Sequence, residues 1–232
     1  MLRENEGVTA PDFSQFCVLQ AWFLLPLFTL LGCLLFLREL TGSAPDAFVT
    51  LLQNQFTSLY TYMRYVSAYG NKLFYVVYAT LFVWALWRRQ WGLASFALAY
   101  LFVQVTITVL LVQGLKVVVG RARPYAAEQG YYFFSMRTMN HSLPSGHTAE
   151  ITGAVGALAQ RLATPLGSFL LGLFPAIMGF SRIVLREHHM LDVFAGALVG
   201  SFSAWCILAL APIIGRKLPS LAVFAHLGKC AR

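Results

Sequence analysis

The sequence predicts an all-α membrane protein: a bundle of six transmembrane helices, an amphipathic connector lying at the interface, and a cluster of ionisable residues at one membrane face. Three observations lead there. Of the 232 residues 58% are hydrophobic and only 11% charged, with a mean hydropathy of +0.66, which leaves too little polar surface to coat a soluble particle. The length accommodates about six spans of roughly 20 residues with short connections. The ionisable residues of the second half gather at the ends of apolar runs that face one side.

The first apolar run, 16–37, is too long for the core of a signal peptide and lacks a small-residue cleavage site after it, so it is expected to stay as the first span. Pro26 within it predicts a kink and no break, since neighbouring helices can satisfy the freed carbonyl. Residues 41–64 turn polar and aromatic, with Gln53, Asn54, Gln55, Tyr60 and Tyr62, a pattern suited to an interfacial connector. Further spans are expected at 73–87, 93–115, 147–162, 166–181 and 190–214. Six spans put both termini on one side with the Arg88-Arg89 and Arg161 turns, and the loops 116–144 and 182–189 on the other.

No linker composition divides the chain, and no internal repeat is evident, so residues 1–232 read as one integral membrane domain. The net charge of +8 is scattered over span ends and forms no stripe, which argues against nucleic acid and for anionic lipid as partner; no protein partner is implied. Cys17 and Cys33 would stand about 24 Å apart on one helix, beyond disulfide reach, and with Cys206 and Cys230 they read as ordinary thiols. Once Lys116, Arg123 and Arg182 are set aside, the remaining basic residues tip the balance toward a cytoplasmic terminus side.

Three short clusters carry the chemistry: Lys116 with Arg123-Pro124, then Pro144-Ser145-Gly146-His147, then Ser181-Arg182 with His188 and Asp192. The second reads as a helix start with proline in the first turn and a glycine that lets a ligand approach bare backbone, so its N–H groups and the positive end of the helix dipole would meet an anion. His188 and Asp192, at i and i+4, would share a helix face, the carboxylate taking the proton of one imidazole nitrogen and leaving the other as a basic lone pair. Taken alone, such a pair is more often structural or metal-binding. Together the clusters supply what phosphoryl transfer needs: cations for the equatorial oxygens, backbone donors, a nucleophile, and a second histidine for the leaving oxygen.

These residues resemble the type 2 phosphatidic acid phosphatase superfamily, whose signature is Lys, six residues, Arg-Pro; Pro-Ser-Gly-His; and Ser-Arg, five residues, His, three residues, Asp. Every signature position is filled, in order, between Lys116 and Asp192. The resemblance implies that His188 forms a phosphohistidine, that Asp192 orients it, and that His147 protonates the departing oxygen and then activates water. It implies that Lys116, Arg123 and Arg182 grip the phosphate oxygens, helped by Ser145 and Gly146, with no metal and no cofactor. The expected reaction is hydrolysis of a lipid phosphate monoester or diphosphate, such as undecaprenyl diphosphate, phosphatidylglycerol phosphate, phosphatidic acid or a lipid A phosphate. In bacterial members the site lies toward the outer leaflet of the inner membrane.

Rival readings are a phosphotransferase that passes the phosphate to another lipid, a non-catalytic lipid binder, and a vanadium-dependent haloperoxidase, which shares the signature on a longer soluble chain. His141 and His189 fall outside the signature and read as polar interfacial residues. The loop from Tyr125 to His141, with Tyr131, Tyr132, Phe133 and Phe134, reads as an aromatic anchor in the interface.

Overall fold

The structure, a computed structural model, describes residues 12–42, 49–50, 53–54 and 57–230, with the backbone alone for 219–230. It is helical, with no strand among the described residues. In chain order the helices are α1 (Phe13–Leu40), α2 (Thr57–Trp87), α3 (Trp91–Val103), a π-helical segment (Gln104–Leu111) leading into α4 (Val112–Val119), α5 (Gly146–Leu162), α6 (Pro165–Leu171), α7 (Leu173–Val184) and α8 (Met190–Cys230). Asp12 caps α1 through a hydrogen bond accepted from the Ser14 amide, and Pro26 leaves that helix unbroken.

Four helices among the described residues are long and apolar enough to cross a membrane: Phe13–Leu40, Trp91–Val119, Pro165–Val184 and Met190–Leu218. The expectation of six spans is corrected on this point. Of the two runs that fall short, 147–162 lies in α5, only 17 residues long and built largely of small residues. Protein surrounds α5, and ten of its residues are buried, so it has no lipid to satisfy and no need of an apolar exterior. The other, 73–87, is the second half of α2, whose first half carries Arg64, Asn71 and Lys72. Of the expected connector, 57–64 forms the opening turns of α2, Gln53 donates to the Val184 carbonyl at 2.6 Å, and 43–48, 51–52 and 55–56 lie outside the described residues.

The core is centred on α5, whose largest interface is with α8. Apolar side chains have little reason to leave hydrocarbon for one another, so helices in a bilayer associate through close packing and hydrogen bonds between them. Both devices are present. Gly196, Gly200 and Ala204 follow one another at four-residue spacing on α8, and a Cβ added at Gly200 would lie 2.5 Å from the Ala149 carbonyl oxygen of α5. Tyr78 of α2 stacks on Tyr100 of α3 at 3.6 Å between ring centroids and donates to the Ala154 carbonyl at 2.9 Å. Gln20 of α1 donates to Ser201 of α8 at 2.8 Å. Cys17, Cys33 and Cys206 are free thiols.

Two glycine variants test this contact. In thermal unfolding in detergent, Gly200→Ala overpacks α5 against α8 and costs on the order of 1–3 kcal/mol. Gly32→Ala, whose Cβ meets nothing within 4 Å, gains about 0.5–1 kcal/mol from helix propensity. A Gly200→Ala protein as stable as the parent would mean that the two backbones are not in contact.

Candidate active site

The site lies where α4, the loop 120–145, the start of α5, the end of α7 and the start of α8 meet. Lys116, buried, sits in the last turn of α4. Gly120 ends that helix in the left-handed region at φ 57°, where a Cβ would lie 1.8 Å from the Tyr132 carbonyl oxygen. The loop that follows is knitted by its backbone. Tyr132 donates to the Gly120 carbonyl at 2.8 Å, Arg123 to Met139 at 2.8 Å, and Ser142 to Arg121 at 3.0 Å. Arg121 and Ser142 are thereby side by side.

Both side chains go to Asp192. Arg121 Nη1 donates to its Oδ1 at 2.6 Å and Ser142 Oγ to its Oδ2 at 2.6 Å. Asp192 is the third residue of α8, and its Oδ2 also accepts the backbone N–H of His189, the residue before that helix, at 2.8 Å. This is the return half of a capping box. A fully buried carboxylate thus has three donors, which offset the loss of hydration.

His188 differs from its sequence expectation in one respect. It precedes α8, so the i, i+4 pair does not lie on one helix face, and its Nδ1 stands 3.8 Å from Asp192 Oδ2, too far for a hydrogen bond. Its Nδ1 lies instead 2.7 Å from the Ser142 carbonyl oxygen. A carbonyl only accepts, so Nδ1 carries the proton and Nε2 the lone pair. One nitrogen keeps its proton and the other its lone pair, as expected, but the choice is fixed by backbone in place of carboxylate. Burial pushes the His188 pKa down to about 4 against the opposing pull of Asp192, which leaves the ring neutral near pH 7.

Cationic and titratable groups lie near this ring. Lys116, Arg182 and His147 are all within electrostatic reach of His188, and Arg123 within reach of His147. Arg123 and Arg182 converge on one carboxylate, that of Glu187: Arg123 Nη1 pairs with Glu187 Oε2, and Arg182 Nη2 lies 3.5 Å from the same atom. Arg182 also donates to Ser67 of α2. The two guanidinium groups thus converge on a single carboxylate oxygen, an arrangement that can hold an oxyanion between them.

Gly146 opens α5, with Ser145 as its N-cap and Pro144 just outside the helix, not in its first turn as the sequence suggested. A Cβ at Gly146 would lie 3.4 Å from Lys116 Nζ, so the lysine crosses directly over this helix start. The first bond along the helix is Ala149 N–H to the Ser145 carbonyl at 3.0 Å, which leaves the amides of Gly146, His147 and Thr148 ahead of the ladder. Ser145 itself is committed elsewhere: its hydroxyl pairs with Thr148 Oγ1 at 3.0 Å and its N–H donates to the Asp192 carbonyl at 2.9 Å. It joins α5 to α8 more than it faces the cavity.

All eight residues singled out in the sequence therefore come together, and Arg121, Ser142 and Glu187 join them. The sequence carried a signal for Glu187, a lone acid between Arg186 and His188. Arg121 and Ser142 acquire their roles only through the closure of the loop. His141 and His189 donate from Nε2 to the carbonyls of Ser135 at 2.8 Å and Ala122 at 3.2 Å, bracing the same loop. Phe133, Phe134 and Met136 at its tip are exposed. Among the described residues no three His, Cys, Asp or Glu side chains form a group that could hold a metal ion.

The chain is similar to known proteins. It is 27% identical over 185 residues to an undecaprenyl-diphosphatase of Sulfolobus acidocaldarius, which covers 78% of this chain and 86% of that protein. A lipid A 1-phosphatase of Rhizobium johnstonii is 32% identical over 122 residues, 51% of this chain and 48% of that protein. A lipid A 1-phosphatase of Rhizobium etli is 31% identical over 122 residues, 51% of this chain and 50% of that protein. The chain thus matches about half the length of the two Rhizobium relatives. No solved structure matches it. The family model of the PAP2 superfamily matches residues 96–215, a stretch that takes in the whole cluster from Lys116 to Asp192, and the chain belongs to that superfamily.

Proposed function

We propose that this chain is a membrane lipid phosphatase that passes the phosphoryl group of its substrate first to His188 and then to water. The observation that carries the reading is the His188 ring: buried, neutral, its Nδ1 proton held by the Ser142 carbonyl, and within electrostatic reach of Lys116 and Arg182. The lipid phosphate displaces the Glu187 carboxylate from the two arginines and takes further hydrogen bonds from Lys116 and the Gly146 amide. Nε2 attacks phosphorus, the bond to the ester oxygen breaks, and His147 gives that oxygen its proton. A water molecule then attacks the phosphohistidine, His147 takes its proton, and phosphate leaves as the N–P bond breaks. Asp192 holds Arg121 and Ser142 in place and offers its charge to the imidazolium that forms, 3.8 Å away.

The names of the relatives bring undecaprenyl diphosphate and lipid A phosphates to this chain as substrate candidates, beside other lipid phosphates with the same terminal group. Residues 1–232 act as one domain in a bacterial inner membrane, with the site at the outer leaflet. The exposed aromatic tip of the loop anchors that face in the interface. No cofactor or protein partner is required.

Two experiments test this reading. Phosphate release from a lipid panel by purified protein in detergent, in excess EDTA, persists in the parent and is abolished by His188→Gln. Asp192→Asn turns an amide N–H toward donors that the acid satisfied, which loosens the loop that holds the ring as well as removing the charge, and slows turnover by on the order of 10²–10³. Near-normal release by a folded His188→Gln protein, or loss of parent activity on chelation, would refute the mechanism. The ring nitrogens of His188, followed by NMR of histidine-labelled protein, stay neutral with Nδ1 protonated down to a midpoint near 4. A midpoint at the ordinary value of about 6.5 would contradict the buried ring.

A further inference from the structure

A groove of about 190 Å³ runs from the cationic end of the site down between the Trp91–Val119 span and α5. Lys116 and Gly146 border its top, His147 and Glu150 line the α5 side, and Gln104, Thr108 and Gln113 line the other. Three uncharged hydrogen-bonding side chains on one face of an apolar span are costly in a bilayer unless something pairs with them. Gln104 is 5% exposed, and its Nε2 has no hydrogen-bond partner, while its Oε1 accepts from Thr108 at 3.3 Å.

The backbone is built to bring these residues to one face. Gln113 follows Gln104 by nine residues, which at 3.6 per turn would put it on the opposite side of a regular α-helix. The π-helical segment Gln104–Leu111 has wider turns, with bonds from i to i+5, and brings Gln113 round to the groove. On the opposite wall Asn71 of α2 donates to Glu150 and to the His147 carbonyl. That holds the acid beside the histidine.

We infer that this groove seats the leaving group and selects lipids whose first atoms beyond the scissile oxygen carry further oxygens, as a glycerolipid or glycolipid does, over lipids in which hydrocarbon begins at once. The inference rests on the proposed phosphatase reading, since His147 marks where the departing oxygen lies. The groove has room for about six water volumes at ~30 Å³ each, enough for a glycerol unit and its ester carbonyls but not for acyl chains. The Gln104 amide, held from its other side by the Thr108 hydroxyl, donates through its unpaired Nε2 to such an oxygen, and Glu150 accepts from a hydroxyl. A second phosphate on the leaving group would face Glu150 with like charge.

The test compares phosphatidic acid with farnesyl monophosphate, which present the same phosphoryl group, using the full chain in detergent. The parent has the higher kcat/KM on phosphatidic acid, and Gln104→Met lowers the ratio of the two kcat/KM values by about fivefold, the scale of one lost hydrogen bond. Thr108→Val, closer in shape, lowers the ratio in the same direction and guards against a folding defect. A parent that prefers the farnesyl compound, or variants that lose both activities in equal proportion, would overturn the groove assignment while leaving the phosphatase reading intact. Turnover of neither lipid, nor of any other in the panel, would overturn the phosphatase reading and this inference with it.

Discussion

A carboxylate taken wholly out of water must be surrounded by donors, and the way Asp192 meets that requirement organises the site. Its three partners come from three places: Arg121 at the start of the long loop, Ser142 near its end, and the His189 amide at the head of α8. Removing any one leaves a buried acceptor short, at about 1–3 kcal/mol, so the three segments are held together. The Ser142 carbonyl is positioned as a by-product, and it is this carbonyl that fixes the His188 ring. The acid acts on the imidazole mainly through the architecture that it maintains.

The second constraint is the close approach of α5 and α8. Small residues let their backbones touch, and the Ser145 amide reaches the Asp192 carbonyl at 2.9 Å. The amides at the head of α5, the histidine before α8 and the lysine over Gly146 are therefore parts of one rigid corner. Arg123 and Arg182 complete it from the loop and from α7, and Glu187 keeps the two guanidinium groups converged. Such preorganisation suits a reaction whose difficulty lies in charge on phosphorus more than in bond making.

Much of this was legible in the sequence. Length and apolar character located α1, the Trp91–Val119 span, α6 with α7, and α8, and the eight signature residues meet in space. What the sequence hid has physical causes. α5 lacks the apolar exterior of a span because helices surround it, and 57–64, which read as an interfacial connector, continues as one helix with 73–87. The His188 to Asp192 spacing suggested a shared helix face, but α8 begins only at Met190, where Asp192 turns back to cap it. The roles of Arg121 and Ser142 depend on contacts across more than twenty residues of loop, beyond the reach of any local periodicity.

The central claim is a covalent bond between phosphorus and Nε2 of His188. Rapid mixing of the purified chain with radiolabelled lipid phosphate, quenching in alkali to preserve an acid-labile N–P bond, and mapping of the label by mass spectrometry test it directly. The account predicts label on His188 during turnover, lost on longer incubation as phosphate is released, and absent in His188→Gln. Steady turnover with no label on the protein, or label on His147 or Ser145 instead, would contradict it.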